Sequence, residues 1–132
     1  MEGRIPVKIY YEDTDCLGVV YHASYLRFFE RGRSEFVGQL GRPIDDWNAE
    51  GVVLAVYKMQ ITFRRAAKLG DICEVVTCFT PRKSEYRLQM LQTLMRGDEL
   101  VCKAQVQLVC LDANMAVRTF PPEFLDQADK AV

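Results

Sequence analysis

One helical stripe constrains this chain more than any other feature. From Ser24 to Leu40 the apolar residues Tyr25, Phe28, Phe29, Phe36, Val37 and Leu40 recur at helical spacing, with Gly32 on the same stripe and Arg27, Arg31 and Ser34 around the rest of the cylinder. Such a rod is roughly 25 Å long at ~1.5 Å per residue and needs a surface against which to bury its apolar side. Ser24 or His22 is available as the N-terminal cap, and Gly41 followed by Pro43 marks the stop. A glycine on the stripe costs about 1 kcal/mol against alanine, which makes sense if something packs very close to Gly32.

The flanking segments change period. Val7, Ile9 and Tyr11 alternate with Lys8 and Tyr10 as a short first strand, and the run from Val53 through Phe63 reads as a long half-buried strand. Further strands are predicted over 72–80, 85–95 and 100–111, where Leu100, Cys102, Ala104, Val106, Leu108 and Cys110 fill alternate positions. The connections Lys68-Leu69-Gly70, Pro81-Arg82-Lys83-Ser84 and Arg96-Gly97-Asp98 have lengths that suit antiparallel hairpins, so a meander is expected. Wrapping that sheet around the one helix buries both apolar faces, giving an α+β architecture.

With 132 residues there is room for a single domain over 1–132, and 49% hydrophobic residues supply ample core. Seventeen Lys and Arg against eighteen Asp and Glu leave a net charge of −1, so the broad electrostatic attraction that draws proteins onto nucleic acid is missing. No apolar run approaches a membrane span and no export signal opens the chain, so a cytoplasmic protein without membrane insertion is predicted. Five cysteines without a C-x-x-C pair, and a single histidine, suggest neither a disulfide framework nor a metal site.

The densest polar cluster lies just before the helix, in Tyr10-Tyr11-Glu12-Asp13-Thr14-Asp15 and on to Gly18, Tyr21 and His22. Unpaired N–H groups at a helix start favour negative charge, and a carboxylate beside such an oxyanion site suits thioester or ester cleavage. The same acids also read as ordinary helix caps, and His22 as a cap or surface residue. Cys16 beside Asp15 makes a poor nucleophile, because a neighbouring carboxylate opposes thiolate formation. Basic residues gather at Arg64, Arg65 and Lys68 and at Arg82 and Lys83, where they read either as phosphate clamps or as solvated strand ends. Glu30 and Glu35 lie on the helix and are expected to pair with Arg31, Arg33 or other charges.

Residues 10–35, YYEDTDCLGVVYHASYLRFFERGRSE, closely resemble the signature of the hotdog-fold acyl-CoA thioesterases of the 4-hydroxybenzoyl-CoA thioesterase group, and more narrowly of the Tol–Pal-associated subfamily. The segments Val56–Phe63 and Val109–Asp112 match in character, so the resemblance covers most of the chain. It implies one long central helix wrapped by an antiparallel sheet of about five strands. It also implies that Asp15 is the catalytic carboxylate, as nucleophile or as base for water. The main-chain N–H at His22 would polarise the thioester carbonyl, the His22 side chain would orient substrate or water, and Tyr21 and Gly18 would line the same turn. Arg82 and Lys83 would grip the nucleotide end of the substrate. No cofactor is implied, coenzyme A being part of the substrate.

Family members assemble edge to edge, so a homodimer or homotetramer with the site between subunits is implied. One departure stands out: the subfamily carries a second glycine where this chain has Leu17, which raises the question of the turn geometry beside Asp15. A second branch places its carboxylate on the helix, where Glu30 falls. An acyl-CoA or acyl carrier protein thioester is thus the expected substrate. A hotdog hydratase or dehydratase, or a non-catalytic acyl-binding module docking on an envelope-associated partner, are the alternatives. Acyl preference would follow from the packing of Phe28, Phe29, Tyr57 and Met59.

Overall fold

The computed structural model describes residues Met1 to Val132. In chain order it contains β1 (Gly3–Lys8), a 3-10 turn (Tyr11–Asp13), α1 (Ser24–Gln39), α2 (Ile44–Ala49), β2 (Val53–Phe63), β3 (Ile72–Phe79), β4 (Arg87–Arg96), β5 (Glu99–Leu111), β6 (Val117–Arg118) and α3 (Pro122–Lys130). The sheet is antiparallel throughout, in the order β1-β3-β4-β5-β2, and the short β6 pairs with the end of β5. It is the expected α+β arrangement, with six strands where about five were anticipated.

Three expectations need correction. The first strand ends at Lys8, because the Asp13 carboxylate accepts the Tyr10 N–H at 2.9 Å while the Asp13 N–H reaches the Tyr10 carbonyl, curling residues 10–13 into the 3-10 turn. β2 and β3 do not form a hairpin. β2 pairs with β5 at the far edge, so residues 64–71 carry the chain across the end of the sheet, a span of three inter-strand steps or about 14 Å. Only β3-β4-β5 is a meander. At the start of α1 neither Ser24 nor His22 caps: Ala23 holds that position, with no side-chain cap hydrogen bond.

α1 lies across β1, β3 and β4. Phe28, Phe29, Phe36 and Val37 are buried in one core with Val75, Met90, Leu94, Val106 and Leu108, each such side chain contributing about 1.5–3 kcal/mol when removed from water. One polar chain crosses this interior. Arg33 Nη1 donates to Gln92 Oε1 at 3.0 Å, and Gln92 Nε2 donates to the Phe29 carbonyl at 2.8 Å and Thr77 Oγ1 at 2.9 Å, so these buried groups are satisfied. At the other end of α1, Trp47 is carried by α2, and α3 closes the core by packing Phe124 against Trp47 (5.3 Å between ring centroids) and Phe120 (5.4 Å). No helix is long and apolar enough to cross a membrane.

Candidate active site

The acidic run separates by burial into three roles. Asp13 is buried and belongs to the 3-10 turn, where it accepts the Tyr10 N–H, and Glu12 is exposed to solvent. Asp15 opens a tight hairpin: its N–H donates to the Val19 carbonyl at 2.9 Å, Gly18 N–H donates back to the Asp15 carbonyl at 3.3 Å, and Thr14 bridges Val20. This is the three-residue loop that needs one left-handed residue, and Gly18 supplies it at φ +80°. Leu17 is not among the positive-φ residues, so the substitution noted in the sequence leaves the turn unstrained. Asp15 Oδ1 accepts the Leu17 N–H at 2.8 Å, which fixes the carboxylate while Oδ2 has no protein partner. The side chain borders an open hollow with Tyr10, Tyr11, Thr14 and Cys16.

Three residues, Tyr21 to Ala23, separate the end of this hairpin at Val20 from α1. Tyr21 N–H donates to the Asp13 carbonyl at 2.9 Å and Ser24 N–H to the Tyr21 carbonyl at 2.8 Å, whereas the N–H groups of His22 and Ala23 donate to no acceptor in the chain. These are orphan donors of a helix entrance. The half-exposed Tyr21 ring lies 4.5 Å from the imidazole of His22. His22 lines a second hollow with Val20, Tyr25, Phe63, Arg64 and Ala66. Within one chain this hollow and that of Asp15 share no lining residue.

A feature absent from the sequence reading joins the two. The crossover 64–71 is stitched to both sides: Leu69 N–H donates to the Gly18 carbonyl at 3.2 Å, Val20 N–H to the Ala67 carbonyl at 2.9 Å, and Ala67 N–H to the Tyr25 hydroxyl at 3.1 Å. Tyr25, an apolar residue of the helical stripe in the sequence, thus also carries a polar tie through its hydroxyl. Its burial pushes the phenol pKa upward, so the hydroxyl stays protonated.

The other sequence candidates lie elsewhere. Arg82 and Lys83 line a hollow at the β3–β4 turn with Thr80, Arg87 and Gln89, apart from Asp15 and His22. Arg82 donates to Asp129 Oδ1 of α3 at 2.8 Å, whereas Lys83 forms no ion pair. In that hollow the Arg87 guanidinium stacks 4.5 Å above Tyr57, the residue extruded at the β2 bulge. Glu30 is exposed and pairs with Arg33, as its helical spacing suggested. Phe28 and Phe29 are fully enclosed and border none of these hollows, whereas Tyr57 is exposed.

Known proteins share both sequence and fold. A family model described as the thioesterase-like superfamily matches residues 10–128. The acyl-CoA thioester hydrolase YbgC of Escherichia coli O6:H1 is 36% identical over 119 residues, covering 89% of each chain. The acyl-CoA thioesterase YbgC of Haemophilus influenzae is 41% identical over 120 residues, covering 89% of this chain and 88% of its own. Among solved structures, a probable thioesterase of Bartonella henselae superposes with a TM-score of 0.86 at 31% identity, over 92% of this chain and all of that one. With a match spanning nearly the whole chain, and an antiparallel sheet packed over one central helix, the chain belongs to the thioesterase-like superfamily and, with it, among the hydrolases of thioester bonds.

Proposed function

We propose that this chain hydrolyses acyl-CoA to free acid and thiol, with Asp15 as the catalytic carboxylate and the main-chain N–H of His22 as the oxyanion donor. The observation that carries the reading is the presence of an unpartnered Asp15 Oδ2 together with unpartnered N–H groups at His22 and Ala23, seven and eight residues downstream and braced by the same crossover. The names of the YbgC relatives support the substrate class.

In this mechanism the thioester carbonyl oxygen accepts the His22 N–H, which stabilises the charge that develops on it. Asp15 takes a proton from water as the water oxygen bonds to the carbonyl carbon. Collapse of the tetrahedral intermediate breaks the C–S bond, and Asp15 returns the proton to the leaving thiolate. The same products form if Oδ2 attacks first and water then opens the anhydride. The His22 ring orients substrate or water, Tyr21 and Gly18 shape the entrance, and Lys83 with Arg82 meets the nucleotide phosphates.

Asp15 and His22 border separate hollows in one chain, which favours a site completed by a second copy. β2 is an edge strand with Val56, Tyr57 and Phe63 exposed, and edge pairing there, in a dimer or a tetramer, would cover it. An acyl carrier protein thioester as substrate, kinship with the Tol–Pal-associated subfamily, and a cytoplasmic location belong to the same proposal.

The test is thiol release from acyl-CoAs of graded chain length and one aroyl-CoA, with double-bond absorbance followed in parallel. Release of thiol from at least one substrate is expected. Absorbance change without thiol would instead identify a hydratase, and tight binding without either would identify an acyl-binding module.

A further inference from the structure

We propose that Arg96 is a positioning residue for this reaction: through the crossover 64–71 it holds the Asp15 hairpin and the start of α1 in fixed register. The inference rests on the function proposed above for Asp15 and His22. Arg96 stands at the end of β4, far along the chain from either residue, and its side chain is only about one-quarter exposed (26%).

Its contacts converge on the crossover. Nη1 donates to Asp71 Oδ2 at 2.6 Å and to the Ala66 carbonyl at 3.1 Å, and Nε donates to Glu99 Oε1 at 3.3 Å. Asp71 Oδ2 also accepts the Lys68 N–H at 2.9 Å, so one carboxylate oxygen joins Arg96 to the middle of the crossover. Both ends of the crossover are tied down as well: Arg64 and Arg65 N–H groups share the Val101 carbonyl, and Gly70 N–H reaches the Ile9 carbonyl at 3.0 Å. The residues gripped by Arg96, directly at Ala66 and through Asp71 at Lys68, are therefore the immediate neighbours of those that hold the site. Ala66 precedes Ala67, which bonds Val20 and Tyr25, and Lys68 precedes Leu69, which bonds Gly18.

The arrangement places one charged fork behind two separate halves of a reaction centre. A fork with fixed donor directions suits this task, because it bonds a carboxylate and a carbonyl at once. Loss of that grip lets the crossover move, and with it the angle between the Asp15 carboxylate and the His22 N–H. Misplacement on the order of 1 Å costs up to about a hundredfold in rate without removing any group that touches substrate.

The experiment compares Arg96→Ala and Arg96→Lys with Arg42→Ala. Arg42 is a matched control at the opposite end of α1, where it pairs with Glu50 at 2.9 Å and Glu123 at 3.3 Å and lies 4.0 Å over Trp47. In Arg96→Ala, kcat is expected to fall at least about tenfold with KM within about threefold of wild type, in Arg96→Lys to recover in part, and in Arg42→Ala to stay within about twofold. Native-state hydrogen exchange at the Val20 and Leu69 amides should accelerate in Arg96→Ala and not in Arg42→Ala. If Arg96→Ala does not fold, Asp71→Asn, which keeps the side-chain volume, carries the same readouts. An unchanged kcat in Arg96→Ala, or an equal loss in Arg42→Ala, overturns the proposal. Should wild-type protein release no thiol from any substrate, the proposed function fails, and the exchange rates alone decide whether Arg96 braces the hairpin.

Discussion

A Cβ built on Gly32 would lie 2.5 Å from Cγ1 of Val75, which places the α1 backbone directly on β3. Thr77 Oγ1 at 3.0 Å and Gln92 Nε2 at 3.1 Å crowd the same point, and both belong to the hydrogen-bond chain that ends at Arg33. Gly32→Ala therefore gains helix propensity and loses more to overpacking. A net destabilisation of about 1–3 kcal/mol is expected in urea denaturation. An alanine variant as stable as wild type would show that the sheet yields here.

Tyr25→Phe tests the link between helix and crossover. Ala67 is fully buried, and the Tyr25 hydroxyl is the acceptor for its N–H. Removing that oxygen leaves a buried donor unpaired at a cost of about 1–3 kcal/mol. The variant should show a lowered Tm, with faster exchange at the Ala67 amide in particular.

The helix and the long strands were legible because each presents one apolar face in its own period: α1 ends one residue short of expectation, and β5 begins one residue early. Period alone does not name a strand's neighbour. A crossover from β2 to β3 has much the same length as a hairpin, and the distinction arises only when β2 docks on β5. Asp13 and Asp15 are the same residue type two positions apart, and only the turn, which buries one and leaves the other half-open, separates their roles. Arg82 read as a free cation because its partner, Asp129, lies on a helix that the strand pattern gave no hint of. The brace at Arg96 was likewise hidden, since its partners meet only once the crossover is in place.

Strong acid should loosen that brace. The Lys68 N–H, and after it the Arg96 side chain, hold the Asp71 carboxyl below the usual carboxylate range. A lowered folded-state pKa contributes stability that is present above the unfolded value, about pH 4, and is lost as the pH falls through the folded value. The stability difference between wild type and Asp71→Asn should accordingly be constant near neutrality and shrink below about pH 4. Denaturation midpoints of the two proteins across pH 2–7, on the order of one point per pH unit, measure it. A difference that persists undiminished at the acid end would mean that the charge of Asp71 contributes nothing.

Thiol reactivity should follow burial rather than sequence. Cys16 is exposed on the hairpin, whereas Cys73, Cys102 and Cys110 are buried, and burial pushes the Cys102 thiol up to about 12. Only a thiolate alkylates readily, so iodoacetamide on native protein should modify Cys16 first and leave the three core cysteines unmodified until unfolding. Mass spectrometry of peptides from a time course provides the readout. Early labelling of Cys102 would show that β4 and β5 open in the native state.

The two carboxylates that compete for the chemistry can be told apart by one pair of substitutions. Asp15→Asn keeps the hairpin, because the amide oxygen still accepts the Leu17 N–H, while it removes the group that takes and returns the proton. Its kcat should fall by roughly 10²–10⁴ with KM little changed, the pattern of an interaction made only in the transition state. Glu30 is exposed and committed to Arg33, so Glu30→Gln should keep kcat within about threefold and lose at most ~1 kcal/mol of stability. Steady-state kinetics on whichever acyl-CoA turns over fastest decides the matter. Collapse of kcat in Glu30→Gln, with Asp15→Asn near normal, would move the catalytic acid onto the helix.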